Sequence, residues 1–363
     1  MKMTENKKIL YAASNMRHIN NFHLEYIAAL RDMGHTVKVM ASGEGADFDI
    51  PFEKKLFSPK NTACRKKIRK ILLDERFDVI ILNTSLAAFH IRFACPRKKR
   101  PKIVNIVHGY LFSEDVNPIK RHLLLFVERL VRGKTDGIIT MNEADYTIAT
   151  KHRLAKKVYR SRGMGAVARP VKTPPEALRT EFLGDGRFVM SFVGELSARK
   201  NQEFLIRAHK RLLPDVPEAL LWLIGEGGEG DRLRELAREL GVSESVIFTG
   251  SRSDACDFIR ATDLYVSASS IEGMPFNLIE ALGCGRTVLA SRVKGHTDLI
   301  ANGESGFLYD CGDMDGYLRQ VVEIYRGQKA PIAEKIAESY EKYEKQSVFP
   351  ETLGIITEAA FND

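Results

Sequence analysis

Three features of this sequence predict an α/β fold of two doubly wound domains in tandem. Its 363 residues exceed one ordinary hydrophobic core and suit two. Short apolar runs alternate with helical patterns along nearly the whole chain, as in parallel sheets covered on both faces. A segment with three prolines and four glycines, residues 162–186, interrupts that rhythm once before it restarts.

The elements follow in order. KILYAAS reads as a strand, then a helix over Asn21 to Met33, then the strand HTVKVMAS. A basic helix near Arg65 to Asp74 precedes the strands DVIILNT and KIVNIVHG. A helix over Pro118 to Arg132 leads to the strand GIITMN. Beyond the interruption, FVMSFVGE, ALLWLIGEG, SVIFTG, DLYVSAS and RTVLAS read as strands with helices between them. The predicted division is therefore residues 1–165, residues 166–340 and a tail of residues 341–363, helical from about Ile332. Ligands of such sheets bind outside the carboxyl ends of the strands, so the site is expected in the cleft between the two domains.

Composition excludes several classes. The apolar fraction is 44% and the charged fraction 28%, as in ordinary globular domains. The longest apolar runs, VIIL and LLLFV, fall far short of the ~20 residues of a membrane span. The start, MKMTENKKILYAAS, passes from charges directly into a strand, without the apolar core of a signal peptide. Cys64, Cys95, Cys256, Cys284 and Cys311 are scattered, with no metal-ligand spacing; they predict reduced thiols, a cytoplasmic location and no metal.

The segment EGMPFNLIE, Glu272 to Glu280, follows the strand DLYVSAS. Gly273 and Pro275 shape a turn, and a helix starting there aims its free N–H groups at a bound anion. The groups around Met274, Pro275, Phe276 and Asn277 are the candidate diphosphate cradle. Glu280 is placed to accept hydrogen bonds from ribose hydroxyls, and Glu272 to reach the other end of a nucleotide sugar. By spacing alone the pair equally fits a capped helix with two solvated glutamates. Gly225, Gly227 and Gly230 satisfy the dinucleotide pattern G-x-G-x-x-G, but the next strand ends in Gly250 rather than an acid, against NAD.

EGMPFNLIE resembles the E-x7-E motif of the family-4 glycosyltransferases. VGELSARKNQEFLIRA, LIGEGGEGDRLRELARELGVSESVIFTG and ASRVKGHTDLIANGESGFLYD resemble the family's flanking segments, and RHINNFHLEYIAALRDMGHTVKVMAS with VNIVHGYLF resembles its exopolysaccharide and capsule branch. The resemblance implies a GT-B fold and a retaining hexosyl- or N-acetylhexosaminyl-transferase. It implies a nucleotide-sugar donor, of UDP type, in the C-terminal domain, an acceptor in the N-terminal one, and no bound metal or cofactor. Lys200 matches the family lysine at the diphosphate, with Arg199 beside it and Gly194 in the preceding turn. Glu195 stands where the family often has an arginine. Gly225 and Gly227 match glycines that let base and ribose approach the backbone. His108 matches the histidine beside the donor sugar. The implied catalytic residues are thus Glu272, His108 and Lys200. Asn15, His18 and Asn20 are candidates on the acceptor side, with His23 and His296 as further histidines near the two half-sites. The alternatives are a GT-B sugar-nucleotide epimerase and a non-catalytic scaffold of polysaccharide assembly.

Charge is unevenly divided. Residues 1–165 carry 32 Lys and Arg against 16 Asp and Glu, and residues 166–363 carry 23 against 31. The first half is expected to face something anionic. The clusters are Lys54 with Lys55, Arg65 to Lys70, Arg97 to Arg100 and the segment Lys120 to Arg132. PIKRHLLLFVERLVR suits an anionic leaflet, while a buried helix covering the sheet is the more common fate of a run such as Leu123 to Val131. No aromatic–basic interleaving accompanies these charges, against nucleic acid. The expected partners are a nucleotide sugar, a polyprenyl-diphosphate-linked saccharide and an anionic membrane, at the inner face of the cell membrane.

Overall fold

The computed structural model describes residues 5–53, 58–96, 98, 100–110, 112 and 118–362. Lys54, Lys55, Arg97 and Lys99 of the basic clusters lie outside the described residues. The chain forms two units, Met1–Met164 with Phe349–Asp363, and Gly165–Val348. The boundary expected after residue 165 falls one residue earlier, and the expected tail of residues 341–363 is divided between the two units.

The first unit contains β1 (Lys8–Asn15), α1 (Met16–Phe22), α2 (Leu24–Asp32), β2 (Thr36–Ser42), β3 (Phe48–Asp49), α3 (Pro59–Glu75) and β4 (Val79–Leu82). It continues with α4 (Ser85–Ala94), β5 (Lys102–Val107), α5 (Pro118–Val131), β6 (Gly137–Thr140), α6 (Glu143–Lys151) and β7 (Lys157–Arg160). Its seven strands are all parallel, in the order β3-β2-β1-β4-β5-β6-β7. The sequence-predicted helix over Asn21 to Met33 is two helices, broken at His23, whose φ of −126° and ψ of −8° are not helical. Helix α4 was not expected at all. Seven of its ten residues are buried, so it has no polar face to mark it, and its fully buried Arg92 pairs with Glu128 of α5 at 2.9 Å.

The second unit contains α7 (Pro175–Glu181), β8 (Phe188–Val193), α8 (Gln202–Leu212), β9 (Ala219–Ile224), α9 (Gly230–Glu239), β10 (Val246–Gly250) and α10 (Ala255–Arg260). It continues with β11 (Leu264–Ser267), α11 (Phe276–Gly283), β12 (Thr287–Ser291), α12 (His296–Leu299), β13 (Phe307–Tyr309), α13 (Met314–Tyr325) and α14 (Ala333–Tyr343). Helix α15 (Lys345–Phe361) leads back to the first unit. The six strands run parallel in the order β10-β9-β8-β11-β12-β13. Central strands such as β9 and β4 are buried along their whole length, which is why they read as unbroken apolar runs.

Each sheet reverses its strand order once, between β1 and β4 in the first and between β8 and β11 in the second. In sheets of this kind the crevice outside the carboxyl ends at the reversal is where ligands bind. His18 and His23 follow β1, and the loop bearing Lys200 and the turn bearing Glu272 follow β8 and β11.

Candidate active site

In the second unit the two segments at the strand reversal are joined by charge. Glu272 is 7% exposed and both its oxygens are paired. Lys200 Nζ donates to Oε1 at 2.6 Å and Arg199 Nη1 to Oε2 at 3.0 Å. Arg199 Nη1 also donates to the Ile271 carbonyl, and the Arg199 carbonyl accepts from the Ser270 N–H at 2.9 Å. Burial pushes the Glu272 carboxyl up, but the charges of Lys200 and Arg199 outweigh it and hold the group at about 2. The carboxylate thus fixes two cations beside the start of α11. Lys200 has two further N–H donors, and Arg199 donors on its other nitrogens, that can turn to an oxyanion. Each Glu272 oxygen likewise retains acceptor capacity.

Helix α11 begins after the turn Gly273–Met274–Pro275, whose residues are buried. Pro275 has no N–H, so it cannot contribute to the expected cradle. The Asn277 side chain turns inward and donates to the Val193 carbonyl at 2.6 Å, tying the helix start to the end of β8. Phe276 at the helix start is half-buried. Gly295, in the left-handed region at φ +82°, packs on the same turn: a Cβ there would stand 2.7 Å from the Gly273 carbonyl oxygen. Next to it, His296 is buried with Nδ1 2.7 Å from the Ser291 carbonyl. Glu280, one turn into α11, is half-buried. Desolvation pushes its carboxyl up to about 7, with Cys256 acting in the same direction and Arg169 against it.

Gly225 and Gly227 also let two loops of the chain approach each other closely. A Cβ on Gly225 would overlap the Gly194 carbonyl oxygen, and one on Gly227 would overlap the Leu196 carbonyl oxygen. The close approach that these glycines permit is between two loops of the chain, sealed by Gly194 N–H to Ile224 and Leu196 N–H to Glu226.

In the first unit, His18, His23 and His108 meet at the carboxyl ends of β1 and β5. Asn15 caps α1, its Oδ1 accepting from the His18 N–H at 2.9 Å, so its side chain serves the helix start. Asn20 lies exposed on α1. Burial lowers all three histidines, His18 to about 4, so each imidazole is neutral at ordinary pH.

Residues 176–346 match the family "Glycosyl transferases group 1", and residues 19–166 match "Glycosyltransferase Family 4". EpsD of Bacillus subtilis (strain 168), a protein named as a glycosyltransferase, is 30% identical over 93% of this chain and 91% of its own. The chain belongs to the family-4 glycosyltransferases. This glycosyltransferase is also 24% identical, over 70% of its length and 68% of the relative's, to the Escherichia coli UDP-Gal:alpha-D-GlcNAc-diphosphoundecaprenol alpha-1,3-galactosyltransferase. Among solved structures, the transferase resembles Anabaena Alr3699/HepE in complex with UDP and glucose at a TM-score of 0.75, 22% identity and 97% and 100% coverage. It resembles sucrose-phosphate synthase of Thermosynechococcus elongatus at a TM-score of 0.78, with 15% identity and 97% and 99% coverage. The fold is GT-B, two Rossmann-like domains each with a parallel sheet.

Sequence reasoning singled out the transferase's Glu272, Lys200 and Arg199 separately, and the structure brings them into one ion cluster. It gave His23 no site role. In a continuous helix His18 and His23, five residues apart, point ~140° away from each other; only the break after Phe22 turns them together. Gly295 and Cys256 carried no signal, because both act through packing between segments distant in sequence.

Proposed function

We propose that this glycosyltransferase moves a hexosyl or N-acetylhexosaminyl group from a UDP-sugar, with retention, to a saccharide carried on polyprenyl diphosphate at the cytoplasmic membrane face. The observation that carries the reading is the Glu272–Lys200–Arg199 cluster beside the start of α11, with Glu280 one turn further on. Glu280 accepts hydrogen bonds from the ribose hydroxyls. Lys200 and Arg199 turn their remaining donors to the diphosphate, and Glu272 offers its spare lone pairs to the sugar. The bond from the anomeric carbon to the diphosphate oxygen breaks as the acceptor hydroxyl oxygen bonds the same face. The acceptor proton passes to the leaving diphosphate oxygen. Fixed cations held ready before the reaction stabilise the charge that builds there, the largest kind of catalytic effect available to such a site. The relative named for a diphosphoundecaprenol acceptor and the neighbour solved with UDP and glucose support the substrate classes.

Attachment to an anionic leaflet is supported by α5. Ile119, Leu123, Phe126 and Leu130 recur at helical spacing and are 52–81% exposed, while Leu125, Val127 and Val131 on the opposite face are buried. Arg129 lies exposed beside the stripe, and Arg132 is exposed just past the end of α5. An apolar stripe flanked by arginines is complementary to acyl chains under acidic headgroups. Among the described residues no helix is long and apolar enough to cross a membrane.

The test is UDP release from UDP-hexoses and UDP-N-acetylhexosamines, with and without a polyprenyl-diphosphate saccharide. Release that depends on the lipid-linked acceptor is expected, and Lys200→Ala or Glu280→Ala should abolish it in folded protein. Interconversion of the nucleotide sugar without release would replace transfer by epimerisation. Near-normal release by either variant would sink the donor-site assignment.

A further inference from the structure

His23 links a buried tyrosine to His108, the histidine that the family resemblance sets beside the donor sugar. Tyr11 lies in β1, and its Oη is 2.9 Å from Nδ1 of His23, both residues being fully buried. On the other side of the same ring, Nε2 of His23 lies 3.1 Å from Nε2 of His108 and 3.2 Å from Nε2 of His18. The rings of His23 and His108 meet edge to face at 88°, with centroids 5.0 Å apart, so their nitrogens face each other rather than stack.

Burial keeps all three imidazoles neutral, so each ring has one N–H and one lone pair. Tyr11 decides which nitrogen of His23 is which. Among the described residues the only hydrogen-bond partner of its hydroxyl is Nδ1 of His23. Were Nδ1 to carry the proton, the tyrosine hydrogen would be buried without an acceptor, at the full desolvation cost of that group. The hydroxyl therefore donates to Nδ1, and the His23 proton sits on Nε2.

That single N–H faces the Nε2 atoms of both His18 and His108, and it is satisfied as a three-centre bond when both accept. A proton on Nε2 of His108 would instead set two N–H groups against each other at a nitrogen separation of 3.1 Å. Nε2 of His108 is thus a lone pair, and the His108 proton sits on Nδ1, on the ring edge turned from His23. Among the described residues that N–H has no hydrogen-bond partner, and His108 is partly exposed while His23 is buried.

We propose that Tyr11 and His23 are positioning residues for the transfer. Through Tyr11 O–H to His23 Nδ1 and His23 Nε2–H to His108 Nε2, they hold His108 in its Nδ1–H tautomer and leave that N–H to donate to a hydroxyl oxygen of the donor sugar. This role rests on His108 meeting the donor sugar, and adds what fixes its proton. Which ring nitrogen of a histidine is protonated follows from the hydrogen bond the other one makes. Hydrogen bonds in such a chain also polarise one another, which makes the terminal N–H a better donor.

The test uses the full chain, isotope-labelled at its histidine nitrogens. Long-range proton–nitrogen correlation spectra distinguish the two tautomers, and His108→Gln identifies the His108 signals by their loss. Wild type should show His108 protonated at Nδ1. His23→Gln keeps an amide N–H near the place of Nε2 and should preserve that form. His23→Met has no such donor and should let His108 take up the Nε2–H form, with Tyr11→Phe shifting it part of the way. Tyr11→Phe removes a single oxygen and carries the test should His23→Met lose its native circular dichroism. By calorimetry UDP affinity should be unchanged in the three variants. Affinity for the tightest-bound of UDP-glucose, UDP-galactose and UDP-N-acetylglucosamine should fall about five- to tenfold in His23→Met and recover in His23→Gln. His108 protonated at Nε2 in wild type, or one unchanged tautomer in wild type, His23→Met and Tyr11→Phe, would overturn the proposal. So would UDP-sugar affinity that His108→Gln weakens and His23→Met does not. Wild type that fails to bind UDP, or UDP-sugar affinity indifferent to His108→Gln, would strike the donor reading instead, and the spectra would still decide whether Tyr11 and His23 set the tautomer.

Discussion

Glu272 and Glu280 flank one turn and are driven in opposite directions by what surrounds them. For Glu272, two cations outweigh burial and hold the carboxyl at about 2, below its ordinary 4.5. A depressed folded-state value means the ion cluster contributes stability above about pH 4.5, lost as pH falls through about 2. Glu272→Gln leaves Lys200 buried without its partner, and breaking such a pair costs roughly 3 kcal/mol. Urea unfolding should show that deficit at neutral pH, and the gap between variant and wild type should close as the medium is acidified. A gap independent of pH would mean that packing rather than charge is lost. For Glu280, desolvation prevails and the carboxyl rises to about 7, faced by Cys256 of α10, by Cys284 and Tyr265, and by Arg169. A raised value works the other way: its contribution to stability is full below about 4.5 and is lost as pH rises through about 7. The ionised form is the better acceptor for ribose hydroxyls, since charge-assisted hydrogen bonds are about twice as strong as neutral ones. UDP affinity, measured by calorimetry, should therefore increase as pH rises through about 7, and Glu280→Gln should bind more weakly with a flat profile.

Helix α5 has one buried face and one exposed apolar face, which is why its sequence read both ways. Its inner face carries Leu125, Val127 and Val131 into the first unit, and Arg92 of α4 pairs with its Glu128. Its outer face leaves Ile119, Leu123, Phe126 and Leu130 exposed. Burying a phenylalanine is worth roughly 1.5–3 kcal/mol, so Phe126→Asp should cut partition onto phosphatidylglycerol vesicles by more than about tenfold while thermal unfolding stays unchanged. Equal partition by variant and wild type would remove α5 from the membrane reading. The same contrast explains what the sequence disclosed. Elements with one wet face or a whole buried strand, such as α8 or β9, were legible from periodicity or from an apolar run. Helix α4 was not, because burial on nearly all sides erases the pattern, and β3, with two residues, is too short to have one. At the site, Glu272 and Glu280 stood out because both lie within one short segment. The His18–His23–His108 cluster and the Gly225–Gly194 contact depend on which loops the sheet order makes neighbours, and spacing does not encode that.

The chain leaves the first unit at Met164, builds the second and returns at Phe349, so the last helix belongs to both by covalent continuity. The returning segment is a working part of the first unit. The Phe349 ring centroid lies 4.8 Å from that of Tyr26, and Phe361 lies 4.5 Å from His35. Thr352 Oγ1 donates to the Gly163 carbonyl at 2.8 Å, Arg162 Nε donates to Glu351 at 2.6 Å, and Ile356 is fully buried. Deleting Phe349–Asp363 therefore removes core from residues far ahead of it in sequence, with fully buried aliphatic side chains contributing roughly 1.5–3 kcal/mol each. The cluster of Glu272, Lys200 and Arg199 and the whole sheet from β8 to β13 lie within Gly165–Val348 and lose nothing. A ligand bound only by the native form stabilises it by mass action. Limited proteolysis of the truncated protein should thus cut first within residues 1–164, while UDP still protects residues 165–348 from cleavage. If truncation also abolished protection by UDP, the donor would need the first unit to bind, and the second unit would be no more than part of its site.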